Sequence, residues 1–219
     1  MVDDRFGELR RLLRSYEVTG YAFDDSAASP GAALSAYLRQ AERQPSRAAA
    51  AAREIDDLLA VGLVNDEIAD DVDLLPHIDP PAGRSVEECL RVIRGHLQRL
   101  MPAGEEITGR PGPRPETSWE WRERFPELAH LLGAYFHQDF DAEYASHRAA
   151  VDDYLSGVSP DDPRAVTAEI EDFLALNPDD AALRQSARIT GLGVGPPAGV
   201  PLRRWLADLA DIVAHHPRS

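Results

Sequence analysis

The sequence predicts an all-α protein made of two similar small helical bundle domains in tandem. Apolar residues recur at three- and four-residue intervals, and the alternating pattern typical of β-strands is scarce. One series of short motifs occurs twice, and a segment rich in proline and glycine separates the two series. These observations predict a first domain over residues 1–100, a linker over 101–118 and a second domain over 119–219.

Four pairs of segments carry the repeat, in the same order in both halves. The first pair shares a spacing of leucines, and the second shares a pattern that runs from Ala-Ala to Tyr-Leu. The third pair shares Glu-Ile followed by acidic residues, and the fourth is the tetrapeptide Pro-Pro-Ala-Gly. The paired segments are 9–16 with 128–135, 32–38 with 149–155, 53–60 with 168–175, and 80–83 with 196–199. A closing segment follows, with Cys89-Leu90 in the first copy and Trp205-Leu206 in the second. Four matches in order indicate two diverged copies of one unit.

Local signals place the helices within each copy. One apolar stripe is formed by Leu128, Leu131, Leu132, Tyr135 and Phe136. Helix starts are indicated by Ser29-Pro30, by Ser85 with Glu88 as a capping box, by Asp162-Pro163, and by Asn177-Pro178 before a short helix ending near Ser186. The glycine-rich residues 191–195 are typical of a turn.

Composition and charge narrow the class of function. The chain has 219 residues, 43% of them hydrophobic, and a net charge of −15 from 38 acidic and 23 basic residues, all of the latter arginine. Residues 1–100 carry −6 and residues 101–219 carry −9. Such a surface repels nucleic acid, and it indicates either a basic partner or a charge that serves solubility alone. No apolar run could span a membrane and residues 1–5 do not resemble a signal peptide, so we expect a cytoplasmic protein without a membrane partner.

The sequence predicts neither a cofactor nor a metal site. Cys89 is the single cysteine and cannot form an internal disulfide. The adjacent His215 and His216 would diverge on a helix, and no partner motif precedes them. The carboxylate clusters lack the spacing and central glycine of a calcium loop, and residues 191–195 are not followed by the Gly-Lys-Ser/Thr of a phosphate-binding loop.

A histidine and an aspartate two residues apart raise the question of catalysis. His137 and Asp139 follow the apolar stripe, and such a pair could serve as a base and its orienting acid. Positions i and i+2 point in different directions on a helix, however, and no serine or cysteine nucleophile lies close in sequence. We expect both residues to tie down the loop after the helix, with a hydrolase that uses them as an alternative.

Residues 125–140, Phe-Pro-Glu-Leu-Ala-His-Leu-Leu-Gly-Ala-Tyr-Phe-His-Gln-Asp-Phe, carry a family resemblance. They resemble the opening FPxLxxLLGxYFHQDW of immunity proteins from bacterial contact-dependent growth inhibition systems. The acidic segment 170–174, the turn at 196–199 and Trp205-Leu206 resemble later parts of the same family. The resemblance covers about 125–216. The first copy keeps the framework but lacks His-Gln-Asp and has Cys89 in place of the tryptophan.

The resemblance implies a helical, non-catalytic inhibitor that binds a delivered toxin domain, commonly a nuclease, and blocks it in the cytoplasm. A basic toxin fits the charge, because a nuclease presents a positive cleft to phosphates and an acidic inhibitor can fill it. The candidate toxin-binding residues are His137, Gln138, Asp139, Asp141, Glu143, Tyr144, Glu169, Glu171 and Asp172. A structural scaffold of stacked helical repeats is a third interpretation.

Overall fold

A computed structural model describes residues 6–61, 75, 77–100, 114–157 and 162–215. Within these residues the fold is all-α, with no strand and one isolated parallel bridge between Ala22 and Asp79. This confirms the predicted all-α class. The chain divides into two compact units, unit 1 over Met1–Glu120 and unit 2 over Trp121–Ser219. Of the predicted linker, residues 114–118 are described and the remainder lies outside the described residues.

Eleven α-helices lie in the described part of the chain. Unit 1 contains α1 (Gly7–Arg14), a 3-10 helix (Ser15–Thr19), α2 (Ala32–Ala41), α3 (Pro45–Val61) and α4 (Val86–Leu100). The unit boundary falls within α5 (Ser118–Arg124). Unit 2 continues with α6 (Pro126–Tyr135), α7 (Phe140–Glu143), α8 (His147–Gly157), α9 (Asp162–Leu176), α10 (Asp180–Thr190) and α11 (Leu202–Ala214).

Unit 1 is organised around α3, which packs against both α1 and α4. Its core includes Leu12 on α1, Ile55 on α3 and Ile93 on α4, and all three side chains are fully buried. Each such side chain contributes about 1.5–3 kcal/mol by leaving water. Cys89, which the sequence repeat matches to Trp205, is buried in the same core.

A buried ion pair anchors the first turn of α5 in unit 1. Glu120 is 1% exposed and accepts hydrogen bonds from Arg39 Nε and Nη2 at 2.8 and 3.0 Å. Burial raises the pKa of this carboxyl, but the bonds from Arg39 and Thr117 outweigh burial and lower the pKa. Trp119 is buried in the core of unit 1 against Tyr37, although the predicted second domain begins at Trp119.

Unit 2 is organised around α9, which packs against α6 and α11. Three aromatic side chains, Trp121, Phe125 and Phe173, join α5, the start of α6 and α9, with ring centroids 5.3 to 5.8 Å apart. Pro126 occupies the first position of α6, where a missing backbone N–H costs no hydrogen bond. The helix therefore starts at a fixed place on the core.

The predicted capping box at the start of α4 is confirmed. The Glu88 backbone N–H donates to Ser85 Oγ at 3.2 Å, and the Ser85 N–H donates to Glu88 Oε2 at 2.8 Å. Two N–H groups that the helix cannot satisfy are thereby paired.

The end of α10 differs from the prediction. The helix continues to Thr190, one turn past the expected end near Ser186. Ala187 and Thr190 are buried, so the additional turn is held by tertiary packing. The helix stops where Gly191 adopts a φ of 126°, a value that side chains beyond glycine rarely adopt.

Candidate functional site

The segment after α6 is held by a glycine-rich loop. We call residues 136–144 the motif segment and residues 191–195, which follow α10, the glycine loop. The carbonyl oxygen of Phe136 accepts the N–H groups of Gly193 at 2.8 Å and Val194 at 2.9 Å. A carbonyl at a helix end otherwise lacks a partner, so these bonds fix the motif segment against the loop.

An aromatic cluster packs under the motif segment. Phe136 stacks on Phe140 with ring centroids 5.8 Å apart, and it meets Trp205 of α11 edge-on at 4.9 Å. His147 lies 4.9 Å from Phe140, and its Nε2–H donates to the Gly195 carbonyl at 2.8 Å. Phe136, Phe140 and Trp205 are all buried. The cluster therefore joins the motif segment, the glycine loop and α11.

Residue 193 must be glycine because two backbones approach closely there. A Cβ on Gly193 would lie 2.7 Å from the backbone nitrogen of Gln138 and 2.7 Å from the carbonyl carbon of His137. Both contacts are far inside van der Waals distance, and neither atom can move without displacing the motif segment.

We expect Gly193→Ala to destabilise unit 2 by about 1–3 kcal/mol, because the added methyl overpacks against fixed backbone. Urea unfolding followed by circular dichroism measures the change. Gly195→Ala is the matched control, since a Cβ at Gly195 meets no atom within 4 Å. Equal stability of the two variants would contradict the packing of the glycine loop on the motif segment.

His137 bonds within the motif segment through both ring nitrogens. Nδ1 accepts the backbone N–H of Asp139 at 3.2 Å, so the neutral ring carries its proton on Nε2 and donates it to Glu143 at 3.2 Å. The bond to Asp139 involves the backbone, whereas a catalytic pair would use the carboxylate. The Tyr144 hydroxyl donates to Asp153 at 2.7 Å, which raises the pKa of Tyr144 to about 12. These bonds order the loop.

Four polar side chains of the motif segment are exposed, namely Gln138, Asp139, Asp141 and Glu143, and the last of these accepts the hydrogen bond from His137. The carboxylates of Asp139 and Asp141 form no hydrogen bond or ion pair with any described residue. These two carboxylates of the motif segment are therefore open to a partner without breaking an internal contact.

Glu169 lies at the opposite end of α6 from His137. Its Oε2 accepts the Leu128 backbone N–H at 2.8 Å, and the carboxylate also bonds the N–H of Glu127. Glu169 thus caps the first turn of α6, whereas His137 follows the last turn. A helix of 10 residues is about 15 Å long, so these two candidates do not share one compact patch.

The other candidate residues on α9 also differ in their contacts. Asp172 accepts a hydrogen bond from Arg124 at 3.1 Å, and this arginine is almost fully buried. Glu171 is exposed. Of the three α9 candidates, two therefore serve internal contacts and only Glu171 is open to a partner.

Glu169 makes the stability of unit 2 depend on pH. Burial raises the pKa of its carboxyl to about 7, against the lowering effect of the two backbone bonds. Because the folded-state pKa is raised, the stabilising contribution is complete below the ordinary value of about 4.3 and is lost as pH rises through 7.

We expect Glu169→Gln to remove most of this pH dependence, which amounts to about 1 kcal/mol for a partly exposed carboxyl. The amide oxygen can still accept both backbone bonds, so the cap is retained. Urea unfolding at about pH 5 and about pH 8 measures the difference. Glu171→Gln, at an exposed position, is the control. A Glu169→Gln protein with the full wild-type pH dependence would show that another group is responsible.

The sequence alone does not predict that Gly193 and His147 help to hold the motif segment and the glycine loop together. The alternating glycines at 191, 193 and 195 do signal a backbone that something approaches closely. The approaching segment lies far earlier in the chain, so the local pattern cannot name it. His147 has no local signal, because its partner Gly195 is also distant in sequence.

Within the described residues, no helix is long and apolar enough to cross a membrane. In the same part of the chain, no three or more His, Cys, Asp or Glu side chains are grouped to hold a metal ion.

Fold and surface define unit 2 as a small helical domain with an ordered loop that exposes acidic side chains. The family described as CdiI immunity protein matches residues 124–213, which lie within unit 2. This match confirms the resemblance carried by residues 125–140. It covers about two fifths of the chain and leaves unit 1 outside. No curated protein and no solved structure matches the chain.

Proposed function

We propose that the chain protects its cell by binding a contact-dependent growth inhibition toxin and covering the active site of the toxin domain. The match of residues 124–213 to the CdiI immunity family carries this proposal. The proposed partner is a nuclease domain with a basic cleft, and the proposed place of action is the cytoplasm, where the toxin would meet its substrate.

The charge of unit 2 supports a basic partner. Residues 121–219 contain 16 acidic residues and 9 arginines, a net charge of −7. Asp139 and Asp141 extend from a loop that the glycine loop and the aromatic cluster already hold in place. A pre-ordered loop loses little conformational entropy on binding, and complementary charge accelerates the encounter.

Binding without catalysis fits the bonding of His137. Its two ring nitrogens are engaged by the Asp139 N–H and by Glu143. We therefore assign His137 a positioning role, in which it sets the path of the motif segment and the direction of the neighbouring acids.

We infer that unit 1 is a diverged copy of unit 2, as the sequence repeat predicts. In each unit a glutamate crosses from one helix to cap another. Glu54 Oε2 accepts the Leu9 N–H at 2.8 Å, and Glu169 Oε2 accepts the Leu128 N–H at 2.8 Å. The repeat matches Glu54 with Glu169 and Leu9 with Leu128. Two equivalent long-range contacts support the duplication independently of sequence similarity.

The Pro-Pro-Ala-Gly tetrapeptides also form the same turn in both units. The residue after the glycine donates its N–H to the carbonyl of the second proline at 3.0 Å in each case. Gly83 has a φ of 83° and Gly199 a φ of 82°. A positive φ at this position of the turn selects glycine, which explains why both copies have it.

The loop after the first helices of unit 1 contains an exposed aspartate, Asp24, and a second aspartate that is turned inward. Asp25 is 4% exposed and accepts hydrogen bonds from the Tyr16 hydroxyl and the Gly31 N–H. Burial raises the pKa of this carboxyl. Since Asp25 is committed internally and the family match leaves unit 1 outside, we propose that unit 2 alone contacts the toxin and that each chain binds one toxin domain.

Growth of intoxicated cells tests the proposed function. The cognate toxin domain is induced in cells that also produce the wild-type chain or an Asp139→Arg/Asp141→Arg variant. We expect the wild type to restore growth and the variant to protect poorly. Growth arrest despite abundant, folded wild-type chain would overturn the proposal.

A further inference from the structure

A cleft of about 340 Å³ opens in unit 2 between the second half of α10, the glycine loop and the start of α11. Its lining includes Arg184 and Arg188 together with the apolar residues Leu192, Val200 and Leu202. The volume is at the lower end of the range for sites that hold a small ligand or a few side chains. The cleft thus combines positive charge with an apolar wall.

The two arginines of the cleft share with Arg164 the lack of a partner among the described residues, unlike the other described arginines of unit 2. Four other arginines each pair with an aspartate, namely Arg124, Arg148, Arg203 and Arg204. Arg184 and Arg188 form no hydrogen bond or ion pair with any residue that the structure describes. Both are exposed, and they lie one helical turn apart, where like charges repel each other. An oxyanion between them would remove the repulsion.

The cleft and the motif segment share a wall. Gly193 lines the cleft, and the same residue donates to the Phe136 carbonyl and abuts the backbone of His137 and Gln138. Gly195 also lines the cleft and accepts the hydrogen bond of His147. A partner that covers the motif segment can therefore reach the cleft across a single loop.

We propose that this cleft receives a carboxylate side chain of the toxin, an aspartate or glutamate flanked by apolar residues. The inference rests on the proposed function. The planar guanidinium groups of Arg184 and Arg188 match a carboxylate through paired N–H donors. Leu192, Val200 and Leu202 cover the apolar stem and its neighbours. The interface thus has opposite charges on the two sides of the glycine loop, which fixes the orientation of the toxin.

A protein carboxylate fits better than a free phosphate. Phosphate carries more than one negative charge at neutral pH, and the net charge of −7 on residues 121–219 repels it at long range. Phosphate also leaves the apolar wall in water. A toxin whose remaining surface is basic is attracted by the same field and brings its carboxylate with it.

Titration calorimetry of the full chain with the catalytically inactivated cognate toxin domain tests the proposal. We expect Arg184→Gln/Arg188→Gln to raise Kd at least about tenfold, because charge-assisted hydrogen bonds are lost. If only long-range attraction to a basic toxin mattered, this variant would have a lower Kd than the wild type, because it is more negatively charged. Arg164→Gln/Arg204→Gln makes the same charge change outside the cleft, and we expect its Kd to be unchanged or lower.

The outcomes separate this proposal from the proposed function. Toxin binding by the wild type and equally by both variants would overturn the cleft assignment and leave the immunity function intact. Failure of the wild type to bind the toxin would overturn both. If the glutamine variant melts early, Arg184→Lys/Arg188→Lys keeps the charges, loses the paired geometry and is still expected to bind more weakly than the wild type.

Nuclear magnetic resonance of the free chain with inorganic phosphate tests whether the cleft binds free phosphate instead of a toxin carboxylate. We expect no saturable shift of the Arg184 and Arg188 Nε–H resonances below about 1 mM phosphate. A saturable shift in that range, absent from the glutamine variant, would assign the cleft to free phosphate and overturn the toxin carboxylate.

Discussion

Asp139→Arg/Asp141→Arg is expected to slow association with the toxin by about 10- to 100-fold at low salt. Both carboxylates are exposed and bond to no described residue, so the change places like charges face to face while sparing the fold. Glu143 is left intact because it accepts the His137 bond. Stopped-flow association at low and high salt measures the effect, and the difference between variant and wild type should shrink at high salt.

A second charge-reversal variant distinguishes direct contact of the motif segment with the toxin from the general attraction between an acidic chain and a basic toxin. Glu171→Arg/Asp211→Arg makes the same change in net charge at exposed positions on α9 and α11. We expect it to slow association only slightly. If this variant loses binding and the motif-segment variant does not, the interface lies on the α9 side of unit 2.

Trp205→Ala is expected to destabilise unit 2 by about 3–5 kcal/mol, the range for removing a large aromatic side chain from a core. Trp205 is 6% exposed and holds Phe136 edge-on at 4.9 Å, so its loss empties the space under the motif segment. Since whole domains are stable by about 5–15 kcal/mol, this is a large fraction of the total. Urea unfolding followed by circular dichroism measures it.

Trp205→Phe is the companion variant for this prediction. A phenylalanine ring fills most of the same volume and can still meet Phe136, so we expect a loss of about 1–2 kcal/mol. A cost below about 1 kcal/mol for Trp205→Ala would mean that the aromatic cluster does not support the motif segment.

Much of the fold follows from local pattern. The apolar stripe from Leu128 to Phe136 and the proline at the first turn are sufficient to predict α6, because the helical period and the missing proline N–H act within a few residues. The capping box at Ser85 is likewise local. The end of α10 does not follow from local pattern, because the tertiary packing of Ala187 extends the helix past the expected stop.

The candidate site is less predictable because its contacts are long-range. Glu169 and Asp172 have the pattern of a solvated helix face, but they bond to Leu128 and Arg124 in a different part of unit 2. The family motif directs attention to residues 136–140. It does not reveal that Gly193 fixes their backbone, since that contact exists only in the folded domain.

The two tryptophans at the boundary between the units also have contacts that local sequence does not predict. Trp119 and Trp121 are two residues apart on one short helix and have similar sequence surroundings. Trp119 packs in the core of unit 1 and Trp121 in the core of unit 2. The burial of Glu120 with Arg39 decides which residues stay with unit 1, and that ion pair joins residues far apart in sequence.

Titration of toxin activity with the purified chain tests most directly whether the protein neutralises its toxin by binding. A fixed amount of the cognate toxin domain is assayed with increasing amounts of the chain, and the residual activity is measured at each ratio. If unit 2 binds and covers the active site, activity falls linearly to zero at an equimolar ratio. Full activity in excess chain, or inactivation of many toxin molecules by one chain, would contradict inhibition by stoichiometric binding.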